Sequence, residues 1–151
     1  MRNSSMRHSW IKSRALFLIA LPAVLFACGD STSPQISVIG SYDAVVFTTT
    51  PTGGTPRDEL QAGSTFTITL NSDGSTSGHL FVAANGTAPA LNADMAGTWI
   101  RIDNSVVFTQ TADTFVRDMT FAVQRNLTNV AVLLGDQVFS GTRITVLLGQ
   151  A

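Results

Sequence analysis

Thr65-Phe66-Thr67-Ile68-Thr69-Leu70-Asn71-Ser72-Asp73-Gly74-Ser75 alternates hydroxyl and apolar side chains for six residues, then breaks on turn formers. Period-two alternation puts Phe66, Ile68 and Leu70 on one face of a strand and the threonines on the other. Asn71 to Gly74 carries turn chemistry, so Ser75 to Ala83 is expected to pair back as a hairpin. The same grammar extends both ways. Upstream, Tyr42 to Thr49 is a β-rich run that ends at Pro51-Thr52-Gly53-Gly54, followed by a loop to Ser64 in which Asp58 to Gln61 suits one helical turn. Downstream, Ala84 to Asn92 reads as a loop and Ala96 to Ile102 as a strand turning at Asp103-Asn104 into Val106 to Thr109. Asp113 to Asp118 fits either a short helical turn or a crossing strand. Met119, Phe121 and Val123 alternate again, Val130 to Leu134 leads to a turn at Gly135-Asp136, and Gln137 to Leu148 follows with Ile144 and Val146 inward.

The expected fold is therefore all-β, with about eight short antiparallel strands and almost no helical periodicity. An up-and-down barrel and a two-sheet sandwich both suit such a string. Sequential hairpins favour the barrel, because neighbours in sequence become neighbours in space. Closure also removes edges that a lysine-free Thr/Val sheet would leave open to aggregation.

Ahead of these strands stands a different kind of segment. Arg2, Arg7, Lys12 and Arg14 precede an apolar run from Ala15 to Ala27, and Cys28 follows. Charge, greasy core and small residue, in that order, read as a secretory signal. The run is too short for a permanent span: thirteen residues make about 20 Å of helix against a hydrocarbon core of about 30 Å. Leu25-Phe26-Ala27-Cys28 resembles the lipobox of bacterial lipoproteins. That resemblance implies a signal peptide at 1–27, removed by cleavage, and a multiply acylated Cys28 such as palmitate chains would give. Two or more chains anchor firmly where one does not. A lone unmodified thiol would also be a liability in an oxidising compartment. The next residue is Gly29 rather than an aspartate, which by the same resemblance leans toward the outer membrane. The small polar stretch 28–35 reads as a tether, and 36–151 as the barrel domain. The expected location is the cell envelope, lipid-anchored, facing the periplasm or the cell surface.

Cleavage removes every basic residue of the leader. From Cys28 to Ala151, five arginines face ten acids, a formal charge of −5 with His79 neutral. Such a domain lacks the basic face on which nucleic-acid binding begins. It is not drawn to anionic lipid either.

Gly40-Ser41-Tyr42 resembles the Gly-x-Trp opening of lipocalin-type barrels. Ile68 to Ser75 with Gly97-Thr98-Trp99 resembles small lipocalin-like lipoproteins of environmental bacteria. The resemblance implies a calycin-type barrel in which an arginine of the last strand, here Arg143, packs on the opening aromatic Tyr42 and helps close the barrel. A cation–π contact of this kind is worth roughly 0.5–2 kcal/mol.

Chemistry is thinner. His79 has no nucleophile elbow near it and reads as a strand histidine, so no catalytic residue and no enzyme activity are expected. Structural zinc needs four ligands that this chain lacks once Cys28 is acylated. Asn71-x-Asp73-Gly74 lacks the downstream acid of a calcium loop and reads as a turn. No metal and no cofactor is expected. Asp113, Arg117 and Asp118 form either a rim that selects a polar head group or an ordinary surface ion-pair set. Asn85-Gly86-Thr87 and Asn126-Leu127-Thr128 match the glycosylation acceptor pattern but read as turns. Tyr42, Phe66, Trp99, Phe108 and Phe121 lie on different strands and supply the inward aromatics. In a short barrel they either fill the interior or line a pocket. The first functional expectation is a non-catalytic barrel that binds a small hydrophobic molecule. The alternative is a structural or interaction module of the envelope, its core filled, offering an outer face to another envelope protein.

Overall fold

A computed structural model describes residues 35–86 and 88–151, so the leader and Cys28 lie outside the described residues. The described residues fold as an eight-stranded closed antiparallel barrel. The barrel strands are β1 (Gly40–Pro51), β3 (Thr65–Leu70), β4 (Ser75–Val82), β6 (Gly97–Ile102), β7 (Ser105–Gln110), β8 (Thr120–Arg125), β9 (Ala131–Phe139) and β10 (Thr142–Gln150). Each pairs with the next, and β10 returns to β1, so the meander has no free edge among these strands. Two short strands, β2 (Arg57–Asp58) on β1 and β5 (Leu91–Asp94) on β4, complete the sheet. A four-residue helix, α1 (Phe115–Asp118), lies between β7 and β8. Of the two architectures the strand pattern allowed, the barrel is the one formed.

Inward residues follow the expected parity where the sequence alternates. Phe66, Ile68 and Leu70 of β3 are buried, as are Val106 and Phe108 of β7 and Phe121 and Val123 of β8. β1 behaves differently. Tyr42 and Phe47 are both buried although an even number of residues lies between them, which in a regular strand would put them on opposite faces. The register against β10 shifts between Ala44 and Val46, a bulge that inserts one residue and exchanges the two faces. Val45 and Val46 consequently both face outward.

Two expected turns are corrected. Leu91 to Asn92 belongs to a strand, since β5 and β6 pair with β4 in one continuous register: Thr76 opposes Gly97 and His79 opposes Asp94. The interruption between them, at Met95 and Ala96, is braced from inside. With its amide oxygen toward Thr76 Oγ1 at 3.0 Å, buried Gln110 sets its nitrogen 3.2 Å from the carbonyls of both Met95 and Ala96. Gly135-Asp136 is likewise no turn, because β9 runs straight through it and reverses at Ser140-Gly141. Gly135 is a core position where bulk is excluded: a Cβ there would lie 2.2 Å from Met119 Sδ and 2.9 Å from the Phe121 ring.

The two ends of the barrel are closed by different means. At the end where β1 begins, the segment from Gln35 to Ile39 crosses the opening with Val38 buried. Tyr42 Oη donates to the Val38 carbonyl at 2.9 Å, and the Arg101 guanidinium donates to the Ile36 carbonyl. At the far end, Phe115 of α1 packs on Phe47 (ring centroids 5.7 Å apart) and edge-on to Phe66 (6.4 Å). Among the described residues no helix is long and apolar enough to cross a membrane.

Close strand approach at the β6–β7 pair yields a test. A Cβ on Gly97 would stand 2.1 Å from the Thr109 backbone carbonyl oxygen, which has nowhere to move. Gly97→Ala is expected to lower unfolding free energy by about 2–3 kcal/mol in urea melts. Gly135→Ala, which meets a flexible methionine first, should cost less.

Candidate functional site

The interior holds four of the five expected aromatics. Tyr42 and Phe121 are 0% exposed, Phe66 1% and Phe108 2%. Phe108 and Phe121 meet edge to face at 5.3 Å. Trp99 is only half-buried and sits toward the β3–β4 turn, where its Nε1 donates to the Asn71 carbonyl at 2.9 Å. Side chains that line a ligand cavity keep surface that a water-sized sphere can touch. These four keep almost none, and the same holds for Leu70, Leu80, Val106, Leu133, Val146 and Leu148, each 0% exposed. These core side chains are therefore covered by one another and by the surrounding strands. Burial pushes the Tyr42 phenol up to about 12, against a smaller opposite pull from the Arg101 charge, so it stays a hydrogen-bond donor.

The barrel-closure role implied for Arg143 requires correction. Along the β1–β10 seam, Tyr42 faces Gln150, whereas Arg143 faces Thr50, eight positions farther along β1. Arg143 instead pairs with Asp136 on the neighbouring strand, its Nε 2.7 Å from Asp136 Oδ1. Closure comes from the strand ladder. The cation whose charge reaches Tyr42 is Arg101.

Sequence reasoning missed the most buried charge. Glu59, 2% exposed, follows β2 in the β1–β3 loop. Its Oε1 accepts from Thr49 Oγ1 at 2.6 Å and its Oε2 from Ser64 Oγ at 3.1 Å. Arg57 Nη1 lies 3.3 Å from Oε2, and Arg57 Nη2 donates to the Ala84 carbonyl at 3.2 Å. Ser64 Oγ also accepts from the Ala83 N–H at 2.9 Å. Both carboxylate oxygens are matched by donors, from Thr49 of β1 and from Arg57 and Ser64, and Arg57 and Ser64 in turn bond the Ala83–Ala84 backbone, which makes this cluster a latch between the β1–β3 loop and the segment after β4.

The remaining candidates lie on the surface. His79 Nδ1 stands 3.3 Å from Asp94 Oδ1 across the β4–β5 pair, both side chains exposed. Asp73 Oδ1 accepts from the Ser75 N–H at 2.9 Å and its hydroxyl at 2.6 Å, which lowers its pKa and marks Asn71 to Gly74 as a self-bonded turn. Arg117 bridges Asp113 at 2.7 Å and Asp118 at 3.2 Å on the solvent side of the α1 segment. Among the described residues no group of three or more His, Cys, Asp or Glu side chains could hold a metal ion.

On the outer face the register assembles something no single strand shows. Ile102, Ser105, Ala122, Leu134, Leu147 and Val46 are successive cross-strand partners, from β6 through β10 to β1. Ser105 is the one polar member of that row. Beside it, Ile100 pairs with Val107. Ile100 is 58% exposed, Ile102 53% and Val46 38%. Rows of apolar side chains continuous over several strands mark contact surfaces more than scattered exposed residues do.

No protein-family model matches the chain, and searches of curated proteins and of solved structures return no significant match. The closed eight-stranded barrel is the architecture that the lipocalin resemblance implies.

Removing the latch tests its role. Glu59→Ala strands Arg57 and two hydroxyls, with an expected loss of about 2–4 kcal/mol in urea melts. Limited proteolysis should then cut first between residues 52 and 64. Arg57→Ala should cost less, because Arg57 is partly solvated.

A second test concerns acid. Hydrogen bonds from Arg143, and secondarily from Thr145, hold the Asp136 carboxyl below the usual carboxylate range. A depressed folded-state pKa adds stability above the unfolded value, and that stability disappears as pH falls through the folded value. Arg143→Ala should raise the Asp136 titration seen by NMR and flatten the acid limb of stability. The melting temperature should therefore fall near neutral pH, where the carboxylate is ionised, and match the wild type in acid; the fall is small because the pair is largely exposed.

Proposed function

We propose that this chain is a lipid-anchored lipoprotein of the bacterial envelope whose barrel serves as a non-catalytic interaction module. The anchor rests on Leu25-Phe26-Ala27-Cys28 and the basic, apolar leader before it. The single observation that carries the module reading is the near-zero exposure of Tyr42, Phe66, Phe108 and Phe121. A carrier of small hydrophobic molecules needs an interior volume of about 300–1,000 Å³, and its lining would be accessible from within. The same packing weighs against the carrier that an aromatic-rich barrel first suggests.

An interaction module needs a face, and the row from Ile102 to Val46 supplies one. Its neighbours Ile100 and Val107 widen it, and its lack of charge suits the apolar centre of a protein contact. Another envelope protein is the partner this reading names.

Two measurements test the proposal together. Native mass spectrometry of the purified protein should show no co-purified lipid, and a fluorescent fatty acid should not bind. A stoichiometric lipid in the spectrum would restore the carrier. A photo-crosslinking residue at Ile100 in cells should trap a defined protein partner, whereas one at exposed Thr67 on β3 should not. Equal trapping at both positions would remove the outer row from the proposal.

A further inference from the structure

The end of the barrel at which β1 begins presents apolar side chains to solvent: Ile39 is 46% exposed, Ile102 53% and Leu127 106%. Leu127 stands in the β8–β9 turn, which satisfies its own polar groups. Asn126 Oδ1 accepts from the N–H of Thr128 at 3.0 Å, from the Thr128 hydroxyl at 2.8 Å and from the N–H of Val130 at 2.8 Å. Residues 126–130 contain no charge. The turn is thus a shaped, uncharged knuckle with a leucine fully outside it.

The topology gathers these residues at one end. Val123 N–H donates to the Asn104 carbonyl at 2.8 Å and Asn104 Nδ2 donates to the Val123 carbonyl at 2.7 Å. Those bonds set the Asp103-Asn104 hairpin, with Ile102 at its base, beside the end of β8. Ala151 N–H donates to the Ser41 carbonyl at 2.9 Å and Gln150 Nε2 to the Ile39 carbonyl at 3.3 Å, which places Ile39 in the same rim.

This is also the end where the chain enters the barrel. Seven residues, Gly29 to Gln35, separate Cys28 from Ile36. At full extension they reach at most about 25 Å, so acyl chains on Cys28 would hold the bilayer within that distance of this rim. A tether that short raises the local concentration of lipid surface to the millimolar range, so contacts too weak to bind alone become occupied. The formal charge of −5 from Cys28 onward favours zwitterionic over anionic lipid.

We infer that the barrel seats its N-terminal rim on the phospholipid surface, with Leu127 entering the headgroup layer and Ile39 and Ile102 beside it. The inference rests on the lipid anchor proposed above and adds an orientation: this rim faces lipid and the outer row of β6 to β1 runs up from it.

The test uses the full chain, processed in cells and reconstituted into vesicles of phosphatidylcholine and phosphatidylethanolamine. Mass spectrometry of the N-terminal peptide first reads acylation of Cys28. With Cys28 acylated, a cysteine introduced as Leu127→Cys, or as Gln61→Cys in the exposed β1–β3 loop, is the sole thiol for a fluorescent label. Both positions are exposed, so neither substitution disturbs the core. A shallow spin-labelled lipid should quench the label at 127, which lies within about 5–10 Å of the headgroup–acyl boundary, at least about twice as strongly as the label at 61. Acylated protein with equal quenching, or none, at the two positions overturns the seating while leaving the anchor intact. A peptide without acyl chains overturns the anchor and the seating together.

Discussion

β1 is hydrogen-bonded to β10 along nearly its whole length, from Tyr42 opposite Gln150 to Pro51 opposite Thr142. Every inward side chain of the barrel owes its position to that seam, because a sheet with the same strands but open edges would face a different set of residues inward at its margins. The seam closes only with the bulge at Val45. Without the inserted residue, burying Tyr42 would force Phe47 out, and the far-end contact of Phe47 with Phe115 would be lost. One irregular residue thus lets a single strand serve both ends of the core.

The closed seam also shapes the functional argument. A barrel can hold a ligand only where its inward residues fail to meet, and here they meet: phenyl against phenyl at the middle, the Gln35–Ile39 segment across one opening, α1 across the other. On the proposed reading, recognition falls to the exterior. That exterior is unequal around the barrel, with the apolar row on β6 to β1 and exposed Thr67 and His79 on the β3–β4 side. A surface divided in this way distinguishes one flank from the other.

Much of the fold was legible because alternation is local. Phe66, Ile68 and Leu70 announce their face within six residues, and hairpin turns such as Asn71 to Gly74 announce themselves by composition. What was illegible depended on partners far away in sequence. A bulge at Val45 looks like any Val-Val pair. Gly135 resembles a turn former until Met119 and Phe121 are found against it. The lipocalin resemblance implies that Arg143 packs on Tyr42, but seam register sets it opposite Thr50. Glu59, in a loop rich in Pro and Gly, reads as a solvated acid, and only Thr49, Ser64 and Arg57 together explain its burial. The outer row escaped for a related reason: each strand contributes one or two apolar residues, an ordinary number, and only the pairing lines them up.

The seam has a kinetic cost. Tyr42 and Gln150 meet across more than a hundred intervening residues, and pairings of such high contact order form slowly. Until they form, β1 and β10 are both open strands, and no lysine stands on either to deter a stranger. A half-assembled molecule is therefore most exposed to exchange of β10 between two copies, each completing the other's β1 before its own.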